Sequence, residues 1–189
     1  MLSVYSDGAS SGGKNRPGGY GWVIVKDEPH RPVRETVVAW SYGGSPQTTN
    51  NLMELEGAIR GLEAALALGL DKGDAVELVS DSEYVIGIVT GAYQPTTNLE
   101  SVTRLRDFAA RIRGLRCRWV RGHTGDKHNE ECDKLAGLGK SEHQPLEVRQ
   151  LQEAKKARRT ARQISRAARA AISEVPTGPG LQPEDDDES

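Results

Sequence analysis

The stretch Leu2-Ser3-Val4-Tyr5-Ser6-Asp7-Gly8-Ala9 alternates apolar and polar side chains up to Gly8. This period of two is typical of a β-strand with one face in a core. Two further runs, 20–26 and 33–42, are rich in β-branched and aromatic residues, and glycines and a proline separate the first run from the second. The three runs predict an antiparallel meander in which Asp7 ends the first strand.

Helical periodicity begins after the third run. Asn50 or Asn51 is expected to cap an amphipathic helix that runs to about Leu68 and ends at Gly69. The later predicted elements are a buried strand from Ala75 to Val79, helical sequence to about Val89, a helix from Leu99 to Ile112, a strand from Leu115 to Val120 and a helix from Asn129 to Leu138. The order βββαβααβα predicts an α/β domain with a mixed five-stranded sheet flanked by helices.

The charge distribution divides the chain into three parts. Residues 1–140 contain all the Phe, Trp and Tyr residues and are expected to form one globular domain. Residues 141–175 form a basic extension that is rich in alanine and predicted to be helical. Residues 176–189 combine proline, glycine and a closing acidic run, a composition that predicts a disordered acidic tail.

Composition also excludes several classes of protein. No segment approaches the roughly 20 apolar residues of a membrane-spanning helix, so we expect no membrane association. Cys117 and Cys132 are the only cysteines, too few for a disulfide framework and wrongly spaced for a zinc site, and both are expected to be reduced and buried.

Four acidic residues stand in four different local settings: Asp7, Glu54 in the first turn of a predicted helix, Asp81 after a buried strand, and Asp133 in the first turns of the last predicted helix. Taken singly, each is more often a cap or a solvated surface charge. If the four converge at the strand ends, their mutual repulsion requires divalent cations. Hard oxygen ligands suit Mg²⁺ or Mn²⁺ rather than zinc.

Five sequence motifs carry a resemblance to a known family. They are Tyr5-Ser6-Asp7-Gly8-Ala9-Ser10, Thr49-Asn50-Asn51-Leu52-Met53-Glu54-Leu55, Ser80-Asp81-Ser82-Glu83-Tyr84-Val85, Trp119-Val120-Arg121-Gly122-His123-Thr124-Gly125 and Asn129-Glu130-Glu131-Cys132-Asp133-Lys134-Leu135-Ala136. Together and in this order they resemble type 1 ribonuclease H over about residues 2–139. A single one of these motifs would be weak evidence, whereas five in the family's order are a strong signal.

The resemblance implies a ribonuclease H-like fold and an endonuclease that cleaves the RNA strand of RNA–DNA hybrids. It matches Asp7, Glu54, Asp81 and Asp133 to metal-binding carboxylates, and it matches His123 to a mobile catalytic histidine. Such a site is expected to bind two Mg²⁺ ions with substrate, with Mn²⁺ as a substitute, and to leave 5′-phosphate and 3′-hydroxyl ends. The remaining histidines, His30, His128 and His143, are expected to be surface residues.

Substrate contacts are also implied by the resemblance. Positions expected near the 2′-hydroxyls of the RNA strand are Gly12, Asn15, Asn50 and Asn51, while Thr49 and Asn98 resemble positions that bind a phosphate of the DNA strand. The same residue types equally serve turns and helix caps, and both roles are compatible.

Three departures from the family weaken attraction for nucleic acid. The connection Thr90–Thr97 has no Lys, Arg or Trp where many relatives carry a basic protrusion, Gln47 replaces a common Arg, and Glu83 replaces a common Gln. The basic extension is a candidate replacement for the missing contacts, although a solvated helix without a partner explains its charge equally well. Its candidate contacts are Lys155, Lys156, Arg158, Arg159, Arg162, Arg166 and Arg169.

The leading hypothesis is therefore a monomeric, cytoplasmic nuclease of a bacterial or phage-infected cell, acting on RNA primers and R-loops. A hybrid-binding module without turnover is the second hypothesis, against which the intact carboxylates and His123 argue. A fold relative that acts on DNA, such as a resolvase or integrase, is the third. The motifs around Glu54 and His123 favour the hybrid enzyme over it.

Overall fold

The computed structural model describes residues 1–13, 16–27, 35–72 and 75–173 of the 189-residue chain. Within a helix or strand, the side chains at 71, 151, 152 and 168–173 are not described. The chain divides into two compact units, Met1–Gln144 and Pro145–Ser189. The predicted acidic tail, 176–189, lies outside the described residues. In the part of the chain that is described, no helix is both long enough and apolar enough to cross a membrane.

The first unit is built on one five-stranded sheet in the order β3-β2-β1-β4-β5. Its strands are β1 (Leu2–Ser10), β2 (Arg16–Asp27), β3 (Glu35–Thr48), β4 (Val76–Ser80) and β5 (Arg116–Trp119). β1, β2 and β3 pair as an antiparallel meander, whereas β4 pairs in parallel with both β1 and β5. The predicted mixed five-stranded sheet is confirmed.

Five α-helices complete the described structure: α1 (Asn50–Ala67), α2 (Glu83–Thr90), α3 (Leu99–Arg111), α4 (Lys127–Glu142) and, in the second unit, α5 (Leu146–Ser173). The predicted cap of α1 is wrong by one residue. The hydroxyl of Thr49, not Asn50 or Asn51, accepts the main-chain N–H of Leu52 at 3.3 Å. As a consequence, Glu54 lies in the second turn of α1 rather than the first.

Side chains alternate between the two faces of the sheet, and each face has its own core. Val4 of β1 belongs to the larger core, which contains buried residues of α1, α2 and α3. The neighbouring Tyr5 belongs to the smaller core, beside Cys132 and Leu135 of α4. Because successive residues of a strand point to opposite faces, β1 is buried on both sides, and the site described below forms near its carboxyl end.

α4 starts two residues earlier than predicted because Asp126 caps it, accepting the N–H groups of His128 at 3.1 Å and Asn129 at 3.2 Å. The prediction that His128 is a surface histidine is wrong. Its side chain is buried, with Nε2 2.7 Å from Oε2 of Glu35. His143 is half-buried, its Nδ1 lying 2.8 Å from the carbonyl oxygen of Gly139, and His30 lies outside the described residues.

The connection between α2 and α3 is short and held at one point. The N–H of Tyr93 donates to the carbonyl of Gly87 at 2.9 Å, and the rings of Tyr84 and Tyr93 form a T-shaped pair with 5.5 Å between centroids. Arg106 of α3 donates to the carbonyls of Ile88 at 3.4 Å and Tyr93 at 3.3 Å. These contacts tie the start of the connection to both helices.

Candidate active site

Asp7 and Glu54 come together because Gly8 lets α1 approach β1. A Cβ atom at position 8 would overlap the main chain of Met53 and Glu54, so any larger residue would push the helix away. Asp7 is 8% exposed, and its Oδ1 accepts the N–H of Gly8 at 2.6 Å. The motif Asp7-Gly8 therefore supplies a buried carboxylate and the space for the helix that carries the second one.

Both carboxylate oxygens of Glu54 are held by side chains. Nδ2 of Asn50 donates to Oε1 at 2.6 Å, and the hydroxyl of Ser82 donates to Oε2 at 2.7 Å. Burial is the main cause that raises the pKa of Glu54, and the charge of Asp81 adds to it, while the bonds from Ser82 and Asn50 act in the opposite direction. Ser82 thus connects α1 to the carboxyl end of β4.

Asp81 follows β4 and is contacted from the end of β5, from the loop after it and from the start of α4. Nδ2 of Asn129 donates to Oδ2 of Asp81 at 3.1 Å, and Nε1 of Trp119 donates to the Asp81 carbonyl at 2.9 Å. Gly122 passes so close that a Cβ atom there would lie 2.6 Å from Oδ2 of Asp81. The position of this carboxylate is therefore set by groups between residues 119 and 129.

The four predicted carboxylates act on one another electrostatically. Burial, and then the charge of Asp81, raise the pKa of Asp7 from 3.8 to about 7; Asp133 and Glu54 contribute further. The hydrogen bond from Gly8 opposes the shift. Asp133 stands in the second turn of α4, next to the buried Cys132. The other three acids thus act electrostatically on Asp7, with Asp133 contributing from the opposite face of the sheet to α1.

The carboxylates are neighbours rather than a closed cluster. Among the described residues, no three His, Cys, Asp or Glu side chains are grouped so as to hold a metal ion. Asp7, Glu54 and Asp81 each accept hydrogen bonds from their own protein donors. The donor set nevertheless fits a hard divalent cation: it consists of oxygen ligands, and a nearby positive charge would offset the cost of ionising buried Asp7.

His123 lies in the loop between β5 and α4, where it is exposed and has a positive φ of 55°. The loop closes through the Thr124 hydroxyl, which donates to the carbonyl of Arg121 at 2.7 Å. Gly125, with φ of 94°, completes the turn. The His123 side chain is therefore accessible to solvent, and its neighbour Gly122 lies beside Asp81.

The predicted substrate residues have unequal positions. Asn50 is next to the carboxylates, since its Oδ1 accepts the N–H of Ser10 at 3.1 Å while its amide holds Glu54. Thr49 caps α1, and Asn51, two residues further along, is exposed. Gly12 lies in the turn after β1 with φ of 78°, and Asn98 is the N-cap residue of α3 with φ of 57°. Asn15 lies outside the described residues.

The candidate contacts of the extension lie on α5. Their side chains are exposed at Lys155, Lys156, Arg158, Arg159, Arg162 and Arg166; Arg169 belongs to the same helix, but its side chain is not described. With 3.6 residues per turn, Lys155, Arg159, Arg162 and Arg166 share one face. This face is a continuous basic strip about three turns long.

Sequence reasoning did not single out three residues that donate hydrogen bonds to Glu54 or Asp81: Ser82, Trp119 and Asn129. All three fall inside the quoted motifs, but each was interpreted only as part of a strand or helix boundary. A detectable signal existed for Asn129, an amide in the first turn of a helix and directly after a glycine-rich loop. For Ser82 and Trp119, the partner is remote in sequence and only the fold identifies it.

Comparison with known proteins adds to this geometry. The family model described as RNase H matches residues 1–141. A protein of Methylorubrum extorquens named ribonuclease H is 38% identical over 151 residues, which are 74% of this chain and 60% of that protein. A ribonuclease H of Roseobacter denitrificans is 36% identical over 157 residues, covering 76% of this chain and 98% of the relative.

A solved structure is also similar. LC11-RNase H1, determined in complex with an RNA/DNA hybrid, superimposes with a TM-score of 0.61 at 25% identity. The superposition covers 75% of this chain and 98% of that one. That share of the chain is close to the length of the unit that contains the carboxylates, Met1–Gln144.

Proposed function

Because this chain belongs to the ribonuclease H family, as its motifs predicted, we propose that it is an endonuclease that hydrolyses the RNA strand of RNA–DNA hybrids. The observation that carries the proposal is that three further acids act electrostatically on buried Asp7, in a chain that superimposes over 75% of its length on a relative solved with a hybrid. The products would be 5′-phosphate and 3′-hydroxyl ends.

Two Mg²⁺ ions are the proposed cofactors, with Mn²⁺ as a substitute, and Asp7, Glu54, Asp81 and Asp133 would hold them. When bound, such ions activate the attacking water and stabilise the departing 3′ oxygen. The raised pKa of Asp7 supports this assignment, since a buried carboxylate among like charges is stable in its ionised form only when cations lie next to it.

The protein's own groups would perform the remaining tasks. Asn129 and Ser82 would orient Asp81 and Glu54, so that the carboxylates meet the ions without prior rearrangement of the main chain. His123, exposed on its loop, would accept or deliver a proton near the scissile phosphate or assist product release.

Recognition of the hybrid would use both strands. Gly12, Asn15, Asn50 and Asn51 are proposed to contact 2′-hydroxyls of the RNA, which distinguish it from DNA. Thr49 and Asn98 are proposed to bind a phosphate of the DNA strand. Asn50 has the strongest structural support, because it already bonds Glu54 and therefore lies at the site itself.

We further propose that the basic strip of α5 contributes nucleic-acid affinity. Six exposed cations lie within twelve residues, from Lys155 to Arg166, and Thr90–Thr97 supplies none. Neutralising phosphates releases counterions, so the contribution would be independent of sequence and sensitive to salt.

The proposed biological setting is removal of RNA primers and R-loop RNA during DNA replication, by a monomer in the cytoplasm of a bacterial or phage-infected cell. The relatives described above come from bacteria, which is consistent with this setting.

The direct test is digestion of an RNA–DNA hybrid labelled on either strand, with Mg²⁺, Mn²⁺ or a chelator. We expect cleavage confined to the RNA strand and dependent on the metal. Binding of the hybrid without cleavage would identify a non-catalytic module instead, and equal cleavage of a DNA duplex would identify a DNA nuclease. Asp81→Asn is the matched inactive control, since it removes a ligand charge at nearly constant volume.

A further inference from the structure

We propose that Trp119 is a positioning residue that fixes the peptide between Asp81 and Ser82 and, through that peptide, two carboxylates of the site. The inference rests on the proposed function, because it treats Asp81 and Glu54 as members of one active centre. It concerns the main chain beneath the carboxylates rather than the carboxylates themselves.

The first observation is that Trp119 continues the pairing of β4 with β5 beyond the end of both strands. The last main-chain bond between them runs from the N–H of Val120 to the carbonyl of Ser80 at 3.1 Å. The next acceptor along the chain is the carbonyl of Asp81, and the indole Nε1 of Trp119 donates to it at 2.9 Å. A side chain thus makes a bond where the main-chain ladder has ended.

The second observation is that the other end of the same peptide is also held. The N–H of Ser82 donates to the hydroxyl oxygen of Ser80 at 3.2 Å, and both residues are buried. Because the peptide group is planar, fixing its C=O and its N–H fixes the orientation of the whole plane. Loss of either bond would let the plane rotate.

Each of the two residues joined by this peptide is connected to one carboxylate of the site. The Asp81 side chain is attached at one end, and at the other the hydroxyl of Ser82 donates to Oε2 of Glu54 at 2.7 Å. The same hydroxyl accepts the N–H of Val85 at 3.2 Å, which ties it to the first turn of α2. A rotation of the Asp81–Ser82 peptide would therefore shift Asp81 and weaken the support of Glu54 together.

Burial alone does not account for a tryptophan at this position. The side chain is 47% exposed, on the edge strand β5, so much of its apolar surface contributes little to the core. What an indole provides and Phe, Leu or Val cannot is an N–H donor three bonds beyond Cβ. Gln has a donor at the same distance along its side chain, which makes a specific rescue experiment possible.

The test compares Trp119→Phe, Trp119→Gln and, as matched control, Trp40→Phe, since Trp40 is a 58% exposed tryptophan on the opposite edge strand, β3. Trp119→Phe should lower kcat and the affinity for Mn²⁺, measured by calorimetry without nucleic acid, each by about tenfold, the usual effect of losing a residue that orients a ligand. KM for the hybrid should stay within about twofold, since Trp119 is not assigned a substrate contact. Trp119→Gln should recover most of both losses.

Two outcomes would overturn the proposal. In the first, Trp119→Phe has the same kcat and Mn²⁺ affinity as Trp40→Phe. In the second, Trp119→Gln loses as much kcat and Mn²⁺ affinity as Trp119→Phe, which would show that the ring rather than the hydrogen bond matters. All measurements are made below the unfolding midpoint of each variant in chelator. If the wild type fails to cleave a hybrid, the proposed function fails, while Mn²⁺ binding still decides the role of Trp119.

Discussion

The side-chain amide of Asn129, at the start of α4, lies 3.1 Å from Oδ2 of Asp81, just beyond the end of β4. Asn129 is 2% exposed, so the bond is shielded from solvent. The bond joins α4, on one face of the sheet, to a carboxylate at the carboxyl ends of the parallel strands. The bond makes the orientation of Asp81 depend on how α4 docks.

Replacing Asn129 should therefore impair the chemistry more than the fold. We expect Asn129→Ala to lower kcat on a hybrid by about tenfold to a hundredfold, the range for residues that orient metal ligands. Asn129→Asp should be worse, because a second carboxylate would repel Asp81 instead of donating to it. Single-turnover cleavage at saturating Mg²⁺ provides the measurement. Wild-type turnover by Asn129→Ala would contradict this role.

Gly122→Ala should lower activity while leaving stability nearly unchanged. The new methyl group would lie 2.6 Å from Oδ2 of Asp81, and the mobile end of that side chain would yield. We expect a loss of at least about tenfold in kcat, since a displacement near 1 Å can cost up to a hundredfold, with little change in unfolding temperature.

Gly137→Ala, within α4, is the matched control for Gly122→Ala. A Cβ atom there would have no neighbour within 4 Å, so activity should be unchanged. Its stability should rise by about 0.5–1 kcal/mol from the better helix propensity of alanine. Equal activity of the two glycine variants would contradict the steric argument.

Asp7→Asn should stabilise the metal-free protein at neutral and alkaline pH. The pKa of Asp7 is raised to about 7 in the fold from 3.8, so ionisation costs folding free energy. The sign follows from proton binding: between these values the native state binds more protons than the unfolded state, and stability falls as pH rises.

The advantage of Asp7→Asn should thus be small near pH 4, grow up to about pH 7 and then level off at about 4 kcal/mol. Urea unfolding in chelator, repeated across this pH range, measures it. Adding Mg²⁺ should reduce the difference, because the cation stabilises only the ionised carboxylate. If the difference in unfolding free energy between Asp7→Asn and the wild type did not change with pH, ionisation of Asp7 would not destabilise the fold.

Neutralising the basic strip should change salt dependence rather than catalysis. We expect replacement of Arg159, Arg162 and Arg166 by Gln to weaken hybrid binding and to reduce the slope of log affinity against log salt by about 2 to 3, near 0.9 for each lost phosphate contact. Cleavage at saturating hybrid should stay at the wild-type rate. A matched variant with Arg111, Arg113 and Arg116 of the first unit replaced by Gln loses the same three charges and controls for net charge. Equal slopes for both variants would exclude a specific role for α5.

Sequence periodicity was sufficient for the order of the elements, because alternation and helical stripes reflect which face of each element is buried. It could not reveal contacts between remote residues. His128 was expected at the surface since no local pattern shows that Glu35 lies across from it. The cap of α1 was misplaced because Thr49, Asn50 and Asn51 are all good capping residues, and only the main-chain geometry selects Thr49.

The site also has a part that local sequence predicts and a part that depends on contacts between remote residues. Its carboxylates could be predicted from their motifs, whereas the groups that orient them could not, because Ser82, Trp119 and Asn129 act on partners from other elements. Individual end points were also uncertain. β3 continues to Thr48, through glycines and a proline that usually interrupt a strand, because it is an edge strand with one partner.

The way Arg106 and Tyr84 secure Tyr93 makes the α2–α3 connection a suitable insertion point for protein engineering. Because these contacts hold Tyr93 in place, an insertion after Tyr93 should leave the position of α2 unchanged. Doubling the length of an exposed loop costs only about 0.6 kcal/mol in closure entropy. A lysine-rich segment grafted between Gln94 and Thr97 could therefore increase affinity for polyanions while the catalytic groups keep their places.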